Sequence, residues 1–179
     1  MDNIYSWQNL TWIIFHKVTL NTNHEFNYKY EEFFDCFRII IPCSICRNNY
    51  NDKLNSDNLS VKNNYNNLFN WTIDLHNSVN NKTGKPSWDH DKARQYYLKL
   101  YLSSSMIKSF LFNYIRYNYL KGPLKTEKLI SMISCFIHII PRHGLRNNLV
   151  QFYNKFNLNR ENFKKWISAA LLINKKFKN

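Results

Sequence analysis

The chain has 179 residues, of which 44% are apolar and 17% aromatic, while glycine (3) and proline (4) are scarce. That composition supplies a core and argues against sandwiches, barrels and collagen-like repeats. The formal net charge of +13 would suit a polyanionic partner, but the basic residues are scattered, with no run longer than two. A nucleic-acid surface needs clustering, so specific nucleic-acid binding is not expected.

The opening stretch "MDNIYSWQNL" lacks a basic-then-apolar leader pattern. The longest apolar run, "LISMISCFIHIIP", is short of the roughly 20 residues that span a bilayer. A soluble, unprocessed protein without a membrane span is expected.

Apolar spacing of three and four residues predicts helices throughout. "YSWQNLTWIIFHKVTL" forms a first helix and places Trp12 and His16 on one face, four residues apart. "YKYEEFFDCFRIII" forms a second, halted by Pro42, because a residue before proline avoids the helical region. Pro42 then leads into a third helix beginning near Cys43. The Asn-rich link "NDKLNSDNLSVKNN" reads as loop for much of its length. "YNNLFNWTIDLHNSVNN" is the fourth helix and closes into the turn "KTGKP". Ser87 is the predicted N-cap of a fifth, running through "DKARQYYLKLYL" and on towards Tyr119, where Gly122 and Pro123 end it. "TEKLISMISCFIHII", "LRNNLVQFYNKF" and "RENFKKWISAALLINKKF" complete the chain, each with an apolar stripe. No internal repeat is visible. The fold class is all-α.

Cys43 and Cys46, in "IIIPCSICRNNY", are the only close pair among four cysteines. Zinc needs four ligands; Cys36 and Cys135 are solitary, and the spacing of His76 and His90 fits no common zinc module, so no metal site is expected. A structural disulfide across two residues closes so small a loop that it stabilises little. A redox pair at a helix start has better physics, because the positive helix end favours the reactive thiolate. Such a pair only shuffles disulfides unless an electron acceptor adjoins it. The stretch "HNSVNNKTGKPSW" offers a ring, amide groups and two cations in succession. These suit a nucleotide with a pyrophosphate, although Asn, Gly and Lys are equally ordinary residues at a helix end.

The pattern formed by His76, Asn77, Val79, Asn80, Lys82, Gly84, Lys85, Pro86 and Trp88 resembles the signature of the Erv/ALR flavin-linked sulfhydryl oxidases. The Trp-X-X-X-His pair of that family's first helix is matched by Trp12 and His16, with Trp7 upstream, and its redox Cys-X-X-Cys by Cys43 and Cys46. The three motifs occur in family order over residues 7 to about 98. The resemblance is nearest to forms found in large DNA viruses, which would place the protein in host cytoplasm or the virion.

The resemblance implies a four-helix bundle with a short fifth helix that binds FAD, here residues 1–100, with residues 101–179 as a helical C-terminal appendage packed on it. It implies an oxidase that makes disulfides in substrate proteins and passes electrons through FAD to dioxygen, giving hydrogen peroxide. Cys46 would be the flavin-proximal cysteine and Cys43 the one attacked by substrate thiols. Trp12, His16, His76, Asn77, Val79, Asn80, Lys82, Lys85 and Trp88 would hold FAD, with Trp12 and His76 at the adenine and Lys82 and Lys85 at the pyrophosphate.

His90 stands where many members carry a cysteine of a second disulfide, and no distal shuttle pair exists. Substrates would therefore dock directly or through a thioredoxin-like carrier. A homodimer is also implied, since "WIIFHKVTL" carries more apolar surface than one face needs. Cys36 and Cys135 read as buried thiols, His24, His138 and His143 as surface or cap residues, and Asp74 and Asp89 have no assigned role. The alternatives are a catalytically degenerate scaffold and a basic nucleic-acid-binding helical protein.

Overall fold

The computed structural model describes residues 6–22, 24–55, 67–119, 121–141 and 143–155. These form eight α-helices, one 3-10 turn (His24–Phe26) and no strand: α1 (Trp7–Thr19), α2 (Asn27–Ile40), α3 (Ser44–Asn55), α4 (Leu68–Lys82), α5 (His90–Lys99), α6 (Ser104–Asn118), α7 (Pro123–Ile139) and α8 (His143–Lys155). None is long and apolar enough to cross a membrane. The expected helix over "RENFKKWISAALLINKKF" lies outside the described residues.

Local chemistry sets most boundaries. The Ser6 side chain accepts from the Asn9 amide and starts α1. Pro42 separates α2 from α3 as expected. Two boundaries differ from the sequence reading. Asp89, not Ser87, caps α5, accepting from the amides of Asp91 and Lys92, while the Ser87 hydroxyl is turned to Asn81. The long helix anticipated towards Tyr119 is two helices, because Ser103 takes an extended conformation and its side chain accepts from the Met106 amide to start α6 afresh. Neither glycine nor proline marks that break, which is why periodicity ran across it. The helix predicted to begin near Cys43 extends to Asn55, into the stretch read as loop.

The core is one aromatic cluster. Phe15 of α1 meets Phe33, Phe34 and Phe37 of α2 edge-on, at centroid distances of 4.7–6.0 Å. Trp71 of α4 reaches Phe34 at 4.7 Å. Edge-to-face rings add to the burial of large apolar area. The cluster does not stop near residue 100. Tyr114 of α6 meets Phe37 at 5.2 Å, and Phe110 of α6 meets Phe136 of α7 at 5.5 Å. On α7, Leu129, Ile133 and Phe136 are fully buried, as is Ile140 at its C-cap, in keeping with their helical spacing.

Polar ties cross the same boundary. The Thr11 hydroxyl lies 2.7 Å from the Tyr114 hydroxyl. Asn118 donates to the Ile40 carbonyl at 2.8 Å and so closes the end of α2. Lys128 of α7 pairs with Asp35 of α2 at 2.9 Å, and Ser131 bonds Glu32. The apolar surface of α1 behind the dimer expectation is buried within the chain: Leu10, Ile13, Ile14, Phe15 and Val18 are each at most 8% exposed.

Candidate active site

Cys43 and Cys46 are joined as a disulfide, with Cα atoms 5.2 Å apart, at the start of α3. Cys43 precedes the helix, and its Sγ accepts the Cys46 amide at 3.2 Å, the place an N-capping oxygen would take. Arg47 donates to the Ile41 carbonyl at 2.7 Å and fixes the bend around Pro42. Cys46 is exposed, Cys43 half-buried, and Ile45 between them is 73% exposed.

Cys46 opens on a cavity of about 260 Å³ walled by Trp7, Trp12, Phe15, Leu75 and Val79, with Lys53 and Asn49 from α3. Cys43 does not line it. A wider groove of about 670 Å³ adjoins it, sharing Gln8, Trp12, Val79 and Thr83. The groove adds His76, Asn80, Lys85, Trp88 and Lys92. A ligand lying along both would meet apolar aromatic walls beside the cysteine and cations at the far end, the mixture typical of small-molecule sites.

The residues predicted to hold a cofactor fall into two groups. Trp12, His76, Val79, Asn80, Lys85 and Trp88 line the groove. His16, Asn77 and Lys82 line neither space. Lys82 donates to Asn49 at 2.9 Å, tying α4 to α3. Asn77 both donates to the Trp88 carbonyl (2.9 Å) and accepts its amide (2.7 Å). Asn80 donates to the Pro86 carbonyl at 3.0 Å, and its own carbonyl accepts the Lys85 amide at 2.9 Å. The two asparagines thus hold the turn that aims Lys85 and Trp88, and Gly84 bends it at φ +68°.

His16 is fully buried behind His76. The rings of Trp12 and His76 stack at 4.1 Å and 6°. Desolvation, then the nearby Lys85, lower the pKa of His76 to about 4; burial, then His76, hold His16 well below the ordinary imidazole value. Both rings are therefore neutral at physiological pH.

Outside the groove, His90 and Asp74 are in contact at 2.7 Å between α5 and α4, and Asp89, which lines the groove, caps α5; the sequence disclosed neither duty. The backbone amides of Lys92 and Asp91 hold the Asp89 carboxyl below its usual range. His138 contacts the Ser134 carbonyl of its own helix at 2.7 Å. The side chains of His24 and His143 lie outside the described residues. Cys36 and Cys135 are free and fully buried; burial pushes the Cys36 thiol up to about 11 and the Cys135 thiol higher still. Neither carries useful thiolate.

Sequence reading missed Gln8, Asn49, Lys53 and Thr83 in the walls, and Thr72 beneath His76. Thr72 and His76 are four apart on α4, as Trp12 and His16 are on α1. That matched spacing was the available signal.

Over 93 residues the chain is 39% identical to a probable FAD-linked sulfhydryl oxidase of Acanthamoeba polyphaga mimivirus, a match covering 49% of this chain and 65% of the relative. The chain thus spans somewhat less than two thirds of that protein's length. No solved structure matches. The sequence model of the Erv1/Alr family matches residues 9–98, from the first turn of α1 to the last turn of α5 and so across every residue of the cavity and groove except Trp7 and Gln8. The chain belongs to the Erv1/Alr family.

Proposed function

We propose that the protein is an FAD-linked sulfhydryl oxidase that converts pairs of protein thiols to disulfides. The observation that carries this reading is the position of Cys46, half of a disulfide and at the same time part of the wall of the aromatic cavity. Kinship with a relative named for the same activity supports it.

The residues present fit FAD. Trp7, Trp12, Phe15, Leu75 and Val79 give the cavity beside Cys46 an apolar lining suited to a flat ring. Lys85 and Lys92, with Asn80, give the groove cations and an amide suited to a pyrophosphate. Bound there, FAD supplies a two-electron acceptor for the Cys46 thiolate and a route from it to dioxygen, yielding hydrogen peroxide.

The protein's own part is thiol–disulfide exchange. A substrate thiolate attacks Cys43 Sγ; a substrate–Cys43 disulfide forms, the Cys43–Cys46 bond breaks, and Cys46 leaves as thiolate facing the cavity. A second substrate thiolate then attacks the substrate sulfur and releases Cys43 as thiolate. The Cys46 amide, already donating to Cys43 Sγ, stabilises that leaving group. Exposed Ile45 gives the incoming chain an apolar contact beside the disulfide. Substrate proteins or a thioredoxin-like carrier would meet this end directly; a viral origin, which the kinship suggests, would make host cytoplasm or the virion the setting.

In this reading the protein works as a homodimer, through a surface other than the apolar face of α1, which is buried within the chain. The purified protein is expected to be yellow and to consume oxygen with dithiothreitol. C46S should stay yellow and lose turnover. A colourless, helical wild-type protein would refute the reading.

A further inference from the structure

A hydrogen-bonded relay runs from the core to the groove. The Thr72 hydroxyl lies 2.8 Å from the Phe69 carbonyl, and Thr19 Oγ1 lies 2.8 Å from the Phe15 carbonyl. The two hydroxyls also lie 3.2 Å from each other, but the shorter contacts are to carbonyls, which can only accept, so each threonine donates to its own helix. Thr72 Oγ1 is then left as an acceptor for His16 Nδ1, 3.0 Å away, which must carry the hydrogen. His16 is 0% exposed among Thr72, Phe69, Tyr97 and His76, with no carboxylate in contact among the described residues, so a second proton on its ring would be an unpaired buried charge. Its Nε2 is therefore a bare lone pair, and His76 Nδ1, at 3.0 Å, must donate to it. This leaves the other nitrogen of His76, in a ring that lines the groove, without a hydrogen.

We propose that Thr72 and His16 lock His76 as its Nδ1–H tautomer, so that His76 Nε2 is an acceptor that selects a purine bearing a donor, an adenine 6-amine, over one bearing a carbonyl there. Thr72 and His16 are positioning residues: they act on the ligand only through His76. A site built to accept a hydrogen bond rejects a ligand that presents a second acceptor, because two lone pairs then face each other without water. The depressed pKa of His76 agrees, since a protonated ring would turn the acceptor into a donor.

The purine half of the proposal rests on the FAD reading above; the tautomer half does not. Two-bond proton–nitrogen NMR spectra of the full-length wild-type chain report the tautomer directly. Both His16 and His76 are expected with hydrogen on Nδ1 and none on Nε2. Hydrogen on His76 Nε2 would overturn the relay.

For the purine, ADP and IDP serve as binding probes on the chain stripped of any bound flavin, with ADP expected to bind more tightly on the order of tenfold. T72V, which keeps the shape and removes the acceptor, should mix the tautomers and erase most of that preference, while T72S retains it. Equal affinity for ADP and IDP, binding of neither, or an undiminished preference in T72V would overturn the selection. A wild-type chain that shows the tautomer and the ADP preference but binds no FAD would refute the oxidase reading and leave the relay standing.

Discussion

Trp12 and His16 sit four residues apart on α1 and read in the sequence as two members of one binding face. Burial gives them different tasks: Trp12 lines cavity and groove, whereas His16 backs His76. The neutrality of the histidine pair has a consequence for stability. The folded-state pKa of His76, about 4, lies below the ordinary 6.5, so between those values the unfolded chain binds more protons than the folded one. Stability is then fully present above about pH 6.5 and is lost as the pH falls to about 4, with His16 acting in the same direction. The loss attributable to His76 is on the order of 3 kcal/mol. Guanidinium unfolding of wild type against H76F should show it, the variant having the flatter slope from pH 6.5 to 5, where few carboxylates titrate.

At the scale of elements, the α4–α5 turn depends on Asn77, whose side chain makes both of its hydrogen bonds to the Trp88 backbone. N77A is expected to lower stability by about 1–2 kcal/mol and to weaken FAD binding by displacing Trp88 and Lys85, although Asn77 lines no part of the groove. Flavin-fluorescence titration and thermal melts separate the two effects. The α5–α6 break depends on the Ser103 cap, and S103A should cost about 1 kcal/mol, with FAD affinity unchanged. Helix existence and phase were legible because apolar spacing reports the buried face. The break was not, because Ser103 is an ordinary polar residue until its side chain meets the Met106 amide.

At the scale of the molecule, the family match ends at residue 98 while the core continues through Phe110, Tyr114 and Phe136. We therefore expect residues 1–100 and the described helices beyond them to fold as one cooperative unit. F136A should cost about 3–5 kcal/mol in a single unfolding transition seen alike by tryptophan fluorescence and far-ultraviolet circular dichroism. A fragment ending at residue 100 should precipitate, since Phe37 would lose Tyr114 and Phe110 and expose its face. Sedimentation of the intact chain at micromolar concentration is expected to show a homodimer, joined through a surface other than the buried face of α1; a species of 21.7 kDa alone would count against it.

The sequence alone determined the all-α class, the family and the close pairing of two cysteines, because helical periodicity and short-range motifs such as Cys43–Cys46 and His76–Trp88 are properties of neighbouring residues. It also determined that α7 buries Leu129, Ile133 and Phe136, since a helical stripe must be covered by something. What covers it was not legible. That α6 and α7 share the aromatic core of α1 and α2, that only Cys46 of the pair lines the cavity, and that Lys82 turns to Asn49 while Lys85 faces the groove were decided by tertiary packing. The physical reason is the same in each case: periodicity fixes which way a side chain leaves its own helix, and only the neighbouring helices fix whether it meets core, cavity or solvent.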